Sequence, residues 1–418
     1  MSISRHFLSL HPLEGFRHLA LEQWNAALRK QGHEVEERPL RRPNESPKET
    51  GDTLAAWIVR HRPAALFTAS ALSFTAPEFF HRPEVAAVPT AAFWFDDPYR
   101  PVERWARQPG FLDVLRLPTV HHFVWDGHWR QWLQETYSIA SRPIHLAADP
   151  ELFRPLPTPP EHAGDALFIG TLVSARNLAS HLEKLPPVLL KAARQAEAAI
   201  RESPYGANPF ALLETVLAAL PARLRAEADA LRERDPDTLL TLHGLVWKWG
   251  KNEVRRRMLR AALEAAPVVL FCGNIEKTQA EAGELTALFA GAAHPLLFRD
   301  TSHLDGRNLA SLYAHGAVHL QATDPQSVAG GIPFRVFQTT ACGKTLFTDV
   351  KPELLECYRE GEEIACYRSE AEIAPGLLHL LKNKSERERI AEAGHRRFQA
   401  EHRWDQRIAV ILKTLGIV

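Results

Sequence analysis

The stretch Asp324 to Asp349, DPQSVAGGIPFRVFQTTACGKTLFTD, restricts the fold more than any other: it reads as a Gly-rich loop, a short helix and a buried strand in succession. Gly330 and Gly331 remove side chains where a ligand can approach the backbone, and Pro333 suits a first helical turn, where its missing N–H is not needed. A helix is therefore expected from about Ile332, running through Phe334 and Gln338 and ended by Gly343, with Thr345 to Thr348 as the strand. The free N–H groups of that helix start and its positive dipole end, with Arg335 one turn inside, face an anion; a nucleoside diphosphate fits.

The first 155 residues alternate short apolar runs with helical patterns. Strands are expected at Phe7 to Leu10, Glu34 to Leu40, Ala64 to Ala69, Val88 to Phe95, His121 to Trp125 and Ile144 to Leu146. Between the first two, Phe16, Leu19, Ala20, Trp24 and Leu28 fall on one helical face closed by Gly32, and Asp52 to Val59 is a second helix. Strands alternating with helices predict a parallel sheet covered on both faces. Pro155, Pro157, Pro159 and Pro160 then break the pattern within six positions, a stiff, extended segment expected to link two domains.

A second alternation starts at Ala166 to Leu172, a strand containing Gly170 and followed by Arg176. From Asn177 to Ala265 the chain is instead strongly helical, which reads as an insertion and a scaffold or oligomer contact. Its basic stretch Lys248 to Arg260 reads as a solvated helix face. The α/β pattern resumes with strands at Val268 to Phe271, His294 to Phe298 and Ala317 to Gln321 and a helix at Leu309 to His315. Gly273 and Asn274 follow a strand end, where open α/β sheets bind ligands, although an ordinary tight turn explains them equally well.

The residues Asp324, Pro325, Gln326, Ser327, Gly331, Arg335, Phe337, Ala341, Cys342, Gly343, Thr348 and Asp349, followed by Glu360, Gly361, Glu363, Ile364 and Tyr367, resemble in order the pattern of CgeB-like glycosyltransferases, the spore-maturation protein type. Ser385 to Ile408 is similar to the closing helices of that family. The resemblance implies an α/β protein of GT-B fold: two Rossmann-like domains facing across a cleft, here with a helical insertion, 177–265, in the C-terminal one. Residues 1–155, joined by the C-terminal helix 403–418, become an acceptor-side domain, and 156–402 the nucleotide-sugar-binding domain. It implies transfer of a sugar from a nucleoside-diphosphate donor to an unidentified acceptor without a metal or other cofactor. Donor contacts fall on Gly170, Arg176, Gly273, Asn274, Ser327, Gly330, Gly331, Ile332, Pro333, Phe334, Arg335 and Gln338. The chain departs from the pattern at Gly330 and Gln338, where related retaining enzymes carry a pair of acidic residues that touch the donor sugar and the ribose. Gln338 keeps an amide for a ribose hydroxyl.

Such a transfer needs a phosphate cradle and, in an inverting reaction, a base for the acceptor hydroxyl. His11, in the first strand-to-helix loop, has the proton affinity for it, with an ordinary pKa near 6.5, but among 20 histidines an incidental loop histidine is the competing reading. Asp96 and Asp97, in FWFDDPYR, offer a carboxylate base or acceptor contact, against a simple turn or helix cap before Pro98.

Composition narrows the rest. The 50 basic and 50 acidic residues balance, which gives no electrostatic argument for a nucleic-acid or membrane partner. Cys272, Cys342, Cys357 and Cys366 lack metal or redox spacing and are expected reduced and mostly buried, and no apolar run reaches the roughly 18 residues of a membrane span, so a cytoplasmic protein is expected. Three other classes stay open on sequence: an inactive nucleotide-binding protein, a nucleotide-sugar epimerase, and a scaffold built on the insertion.

Overall fold

The computed structural model describes residues 4–14, 18–69, 71–159, 164–203, 208–272, 279–301 and 306–417. The chain forms two compact units, one of residues 1–149 with 401–418 and one of residues 150–400. Each is built on a six-stranded, wholly parallel sheet.

In the first unit the strands are β1 (His6–His11), β2 (Glu34–Pro39), β3 (Ala65–Ala69), β4 (Thr90–Trp94), β5 (Val120–Val124) and β6 (Ser141–Pro143), in the spatial order β2-β1-β3-β4-β5-β6. The central strands β3 and β4 are buried along their whole length, as expected of parallel strands covered on both faces. The sequence direction reverses between β1 and β3, so the topological switch point lies beside the carboxyl end of β1, where His11 sits. The helix Leu19–Lys30 packs Trp24, fully buried, against Phe67, Phe93 and Trp404. Trp404 opens the helix Trp404–Thr414, so the end of the chain completes this core. Trp404 also donates its indole N–H to Gln23 at 3.1 Å, and Gln23 accepts from the backbone of Asp149 at 2.8 Å.

One strand lies elsewhere than expected. Ile144 and Leu146 are buried but unladdered, and the last strand is Ser141–Pro143, paired with β5. The apolar signal there marks burial rather than pairing: Ala148, just beyond, bridges Arg403 at the start of the C-terminal helix. The second helix also begins earlier than its apolar pattern, at Pro47, because Ser46 and Glu49 form a capping box.

In the second unit the strands are β7 (Ala166–Ile169), β8 (Val268–Cys272), β9 (Leu296–Asp300), β10 (Val318–Gln321), β11 (Thr345–Asp349) and β12 (Ala365–Tyr367), in the order β12-β11-β10-β7-β8-β9. Its switch point lies between β7 and β10. The edge strand β12, three residues against β11, lies among the motif residues Glu360 to Tyr367, where no strand was expected. The helix expected at Leu309 to His315 is Gly306–Leu312.

The helical insertion is the crossover from β7 to β8, enlarged to five helices: Ala175–Leu182, Pro187–Glu202, Pro209–Ala218, Ala222–Arg234 and Pro236–Ala262. The last is 27 residues, about 40 Å at 1.5 Å per residue, and it belongs to two cores. Its first half, with Leu239, Leu242, Leu245, Val246 and Trp249, packs among the other inserted helices. Its second half, with Val254, Met258, Leu259 and Ala262, packs on the sheet beside Phe168, Val268 and Leu270. The four cysteines are free thiols, and Cys272, Cys342 and Cys357 are buried. Among the described residues no helix is long and apolar enough to cross a membrane.

Candidate active site

The loop after β10 is shaped from below by buried hydrogen bonds. Asp349, at the end of β11, accepts the backbone N–H and the hydroxyl of Thr323, both at 2.8 Å, and Tyr367 donates to the Gln321 carbonyl at 2.8 Å. Asp324 turns the chain, accepting from Gln326 N at 3.2 Å while its carbonyl accepts from Ser327 N at 2.8 Å. Gly330 has φ +112°, a backbone conformation that L side chains rarely adopt, and a Cβ there would lie 3.1 Å from Pro352 Cδ. A side chain at this position, an acidic one included, is therefore strained by the loop's own geometry.

The helix that follows is Phe334–Ala341, two residues later than expected. Ile332 precedes it in the loop, and Pro333 is its N-cap, with ψ 155°, rather than part of its first turn. The extended backbone of the Gly-Gly-Ile-Pro segment delays helix entry, with Gly330, Gly331 and Ile332 buried. Arg335 then stands in the first turn, half-buried, and among the described residues it has no carboxylate at ion-pair distance. Gln338, one turn on and 6% exposed, accepts a hydrogen bond from the buried Tyr313 hydroxyl through Oε1. The oxygen of its amide is thus engaged within the protein. Ser327 Oγ is buried and, among the described residues, has no hydrogen-bond partner.

The residues that sequence reasoning missed lie on the long crossover helix Pro236–Ala262. Its basic stretch is not a solvated face: Arg255 is 4% exposed. Arg255 donates through Nη1 to the Thr171 carbonyl at 2.7 Å and through Nη2 to Asp324 Oδ2 at 3.5 Å, so it ties the loop after β7 to the loop after β10 across the switch point. One turn earlier Lys251 sits over the Trp247 ring, 4.0 Å from its centroid, and Trp247 donates its indole N–H to Asp324 Oδ1 at 2.6 Å. Between them a Cβ on Gly250 would meet Pro325 Cγ at 3.3 Å, so the helix approaches the loop closely there. Asn252 clamps the first loop, accepting from Val173 N at 2.9 Å and donating to Val173 O at 2.7 Å. The signal was present in the sequence as Trp247, Lys251 and Arg255, spaced at four residues on one helical stripe.

Electrostatically this is a cationic site. Burial pulls Lys251 down to about 8, with Arg255, Arg335 and Lys248 pushing the same way and Asp324 opposing them. Burial lowers Arg255 to about 10, again with Asp324 opposing and Arg335 adding. Arg335 is thus felt by both groups of the crossover helix, and Asp324 is the carboxylate that opposes it at Lys251 and Arg255. Gly170 directly follows β7, with its N–H on the Phe271 carbonyl at 2.9 Å, and a Cβ there would clash with the Phe168 ring at 2.5 Å. Arg176 lies in the helix Ala175–Leu182, and its side chain is outside the described residues, as are Gly273 and Asn274.

In the first unit the switch point carries acid–base groups. His11 Nε2 pairs with Glu37 Oε2 at 3.2 Å, while its Nδ1 is buried and, among the described residues, without a partner. The His11 hydrogen bond, with Arg29 Nη2 at 2.7 Å, holds Glu37 down at about 2. Asp97 follows β4 and is 2% exposed; burial raises its pKa, against Arg100, whose N and Nη2 both donate to it at 3.3 Å. Asp97 thus accepts from the first turn of the helix Tyr99–Trp105, whose N-cap is Pro98, while Asp96 is exposed. His18, stacked on Phe95 at 4.7 Å with its pKa lowered by burial, is a further histidine of the first loop.

This architecture is that of the GT-B glycosyltransferases. Residues 255–413 match the "Glycosyl transferase-like" family model, which begins at Arg255 and spans the loop, Arg335 and the closing helices. Among solved structures, a glycosyltransferase from Rickettsia africae superposes with a TM-score of 0.56 at 10% identity, covering 99% of this chain and 98% of that one. HepE of Anabaena, solved in complex with UDP-glucose, gives 0.56 at 10% identity, covering 98% and 100%. Sucrose-phosphate synthase from Thermosynechococcus elongatus gives 0.55 at 12%, covering 99% of each. No curated protein sequence matches this chain at a significant level.

Proposed function

We propose that the protein is a glycosyltransferase that moves a sugar from a nucleoside-diphosphate donor to an unidentified acceptor, without a metal ion. The observation that carries this reading is Arg335: a cation in the first turn of a helix, behind a glycine loop at the sheet's switch point, that no carboxylate among the described residues neutralises. A leaving diphosphate supplies the missing charge, and the protein's own cations do the work a metal does elsewhere. HepE's complexes with UDP and UDP-glucose support a nucleotide sugar as donor. Residues 150–400 are then the donor-binding unit, and 1–149 with 401–418 the acceptor-side unit. His11, oriented by Glu37, is the proposed base, with Asp97 and Asp96 as acceptor-side carboxylates. The order of motif residues around Arg335 and Glu363 favours the spore-maturation type within this class, and free thiols favour a cytoplasmic location.

Arg335→Ala tests it. A charge-assisted phosphate contact contributes about 1.5–3 kcal/mol, so nucleoside-diphosphate affinity should fall tenfold or more while the melting temperature holds. Unchanged affinity in the folded variant removes Arg335 from the cradle. A wild type that binds nucleotide sugars but transfers or hydrolyses none is an inactive nucleotide-binding protein instead.

A further inference from the structure

We propose that Lys251, on the enlarged crossover helix, is a donor-binding residue that grips the leaving diphosphate opposite Arg335, with Arg255 as the buried strut that sets both loops around it. This rests on the donor reading of the site. It gives the insertion, expected only as scaffold, a direct part in recognition.

Four observations carry it. Lys251 sits at the switch point, one turn from Arg255, which spans the loops after β7 and β10. It is half-buried and, among the described residues, has no carboxylate at ion-pair distance; the Trp247 ring face is its contact. The charged groups that face it are Arg255 and Lys248 on its own helix, Asp324 on the loop after β10, and Arg335 on the helix Phe334–Ala341. Asp324, held by Trp247 and Arg255, brings a single negative charge to a place where Lys251, Arg255 and Arg335 bring three positive ones. A protein gains nothing in stability by bringing unpaired cations together at one half-buried place; a bound polyanion repays it.

The arrangement makes binding proton-linked. Lys251 titrates near 8 in the free protein because burial and three neighbouring cations disfavour its charge. A diphosphate beside it favours the charged form, so binding draws a proton from solvent. Affinity is full below pH 8 and falls as pH rises through it, a window above the phosphate groups' own titration.

The experiment is calorimetric titration of the full chain with UDP, GDP, ADP and dTDP, for the diphosphate that binds, at pH 7 to 9.5 and in two buffers of different ionisation enthalpy. Lys251→Met should weaken binding about tenfold at pH 7, abolish proton uptake and flatten the pH profile, with a melting temperature unchanged or higher. Lys251→Arg should retain affinity and carry it to pH 9. Wild-type affinity and proton uptake in Lys251→Met overturn the inference and leave the donor reading standing. If no diphosphate binds the wild type, both fall.

Discussion

The two switch points are finished in opposite ways. In the first sheet the charges are matched: His11 and Arg29 share Glu37 beside β1, and Arg100 answers Asp97 after β4. Between β7 and β10, among the described residues, the three cations Lys251, Arg255 and Arg335 gather with Asp324 as the carboxylate acting on Lys251 and Arg255. Matched pairs are what folding alone favours, and they leave proton affinity as the chemistry available at the first site. An unmatched cluster is a standing electrostatic debt that a ligand settles, so the second site is prepared for an anion before any arrives.

The contrast breaks most directly at His11. If its Nδ1 takes the acceptor proton, His11→Ala should lower kcat by a factor of about 10² to 10⁴ while the affinity for a nucleoside diphosphate stays as it was. Turnover unaffected by the change leaves the first switch point without a base. The same variant has a signature in stability. Glu37, held near 2 chiefly by His11, stabilises the fold fully above its ordinary 4.5, and that contribution is lost as pH falls toward 2. His11→Ala should flatten this acid limb of the stability curve, leaving the part due to Arg29.

Asp324 sharpens the other side. Asp324→Ala leaves Arg255, 4% exposed, with no carboxylate in its pocket and removes the acceptor for the Trp247 indole. Breaking a buried pair by deleting one partner typically costs about 3–5 kcal/mol, read here by chemical denaturation. A loss under 1 kcal/mol would mean that solvent already serves Arg255.

The central strands of both sheets were legible because fully buried parallel strands are short apolar runs, as in Ala65–Ala69 and Val268–Cys272. Ser141–Pro143 was missed because it is half exposed and polar, and the apolar residues just after it are buried without pairing. The loop and Arg335 were legible as a contiguous motif. Lys251 and Arg255 were not, since they lie more than 60 residues from it in the chain and only the fold brings their helix to the loop. Gly330 read as a lost carboxylate; its φ of +112° turns it into a requirement of the backbone.

Gln338 draws the finest distinction between a prepared cationic site and one that merely lacks an acid. Sequence alone offers its amide to a ribose hydroxyl, but Oε1 already accepts from Tyr313, so the end left for a ligand is the NH2, a donor that adds to the cationic character of the site. In Gln338→Glu a carboxylate oxygen can still accept from Tyr313, whose hydroxyl burial keeps protonated. The new charge is desolvated but lies one turn from Arg335, and the two effects oppose each other. Stability should change by less than about 1 kcal/mol. If the site's preference for anions comes from its net charge, the glutamate should weaken diphosphate binding a few-fold and lessen its salt dependence. Tighter binding in Gln338→Glu would instead show that the ribose wants an acceptor there, and that the wild-type amide is a loss rather than part of the design.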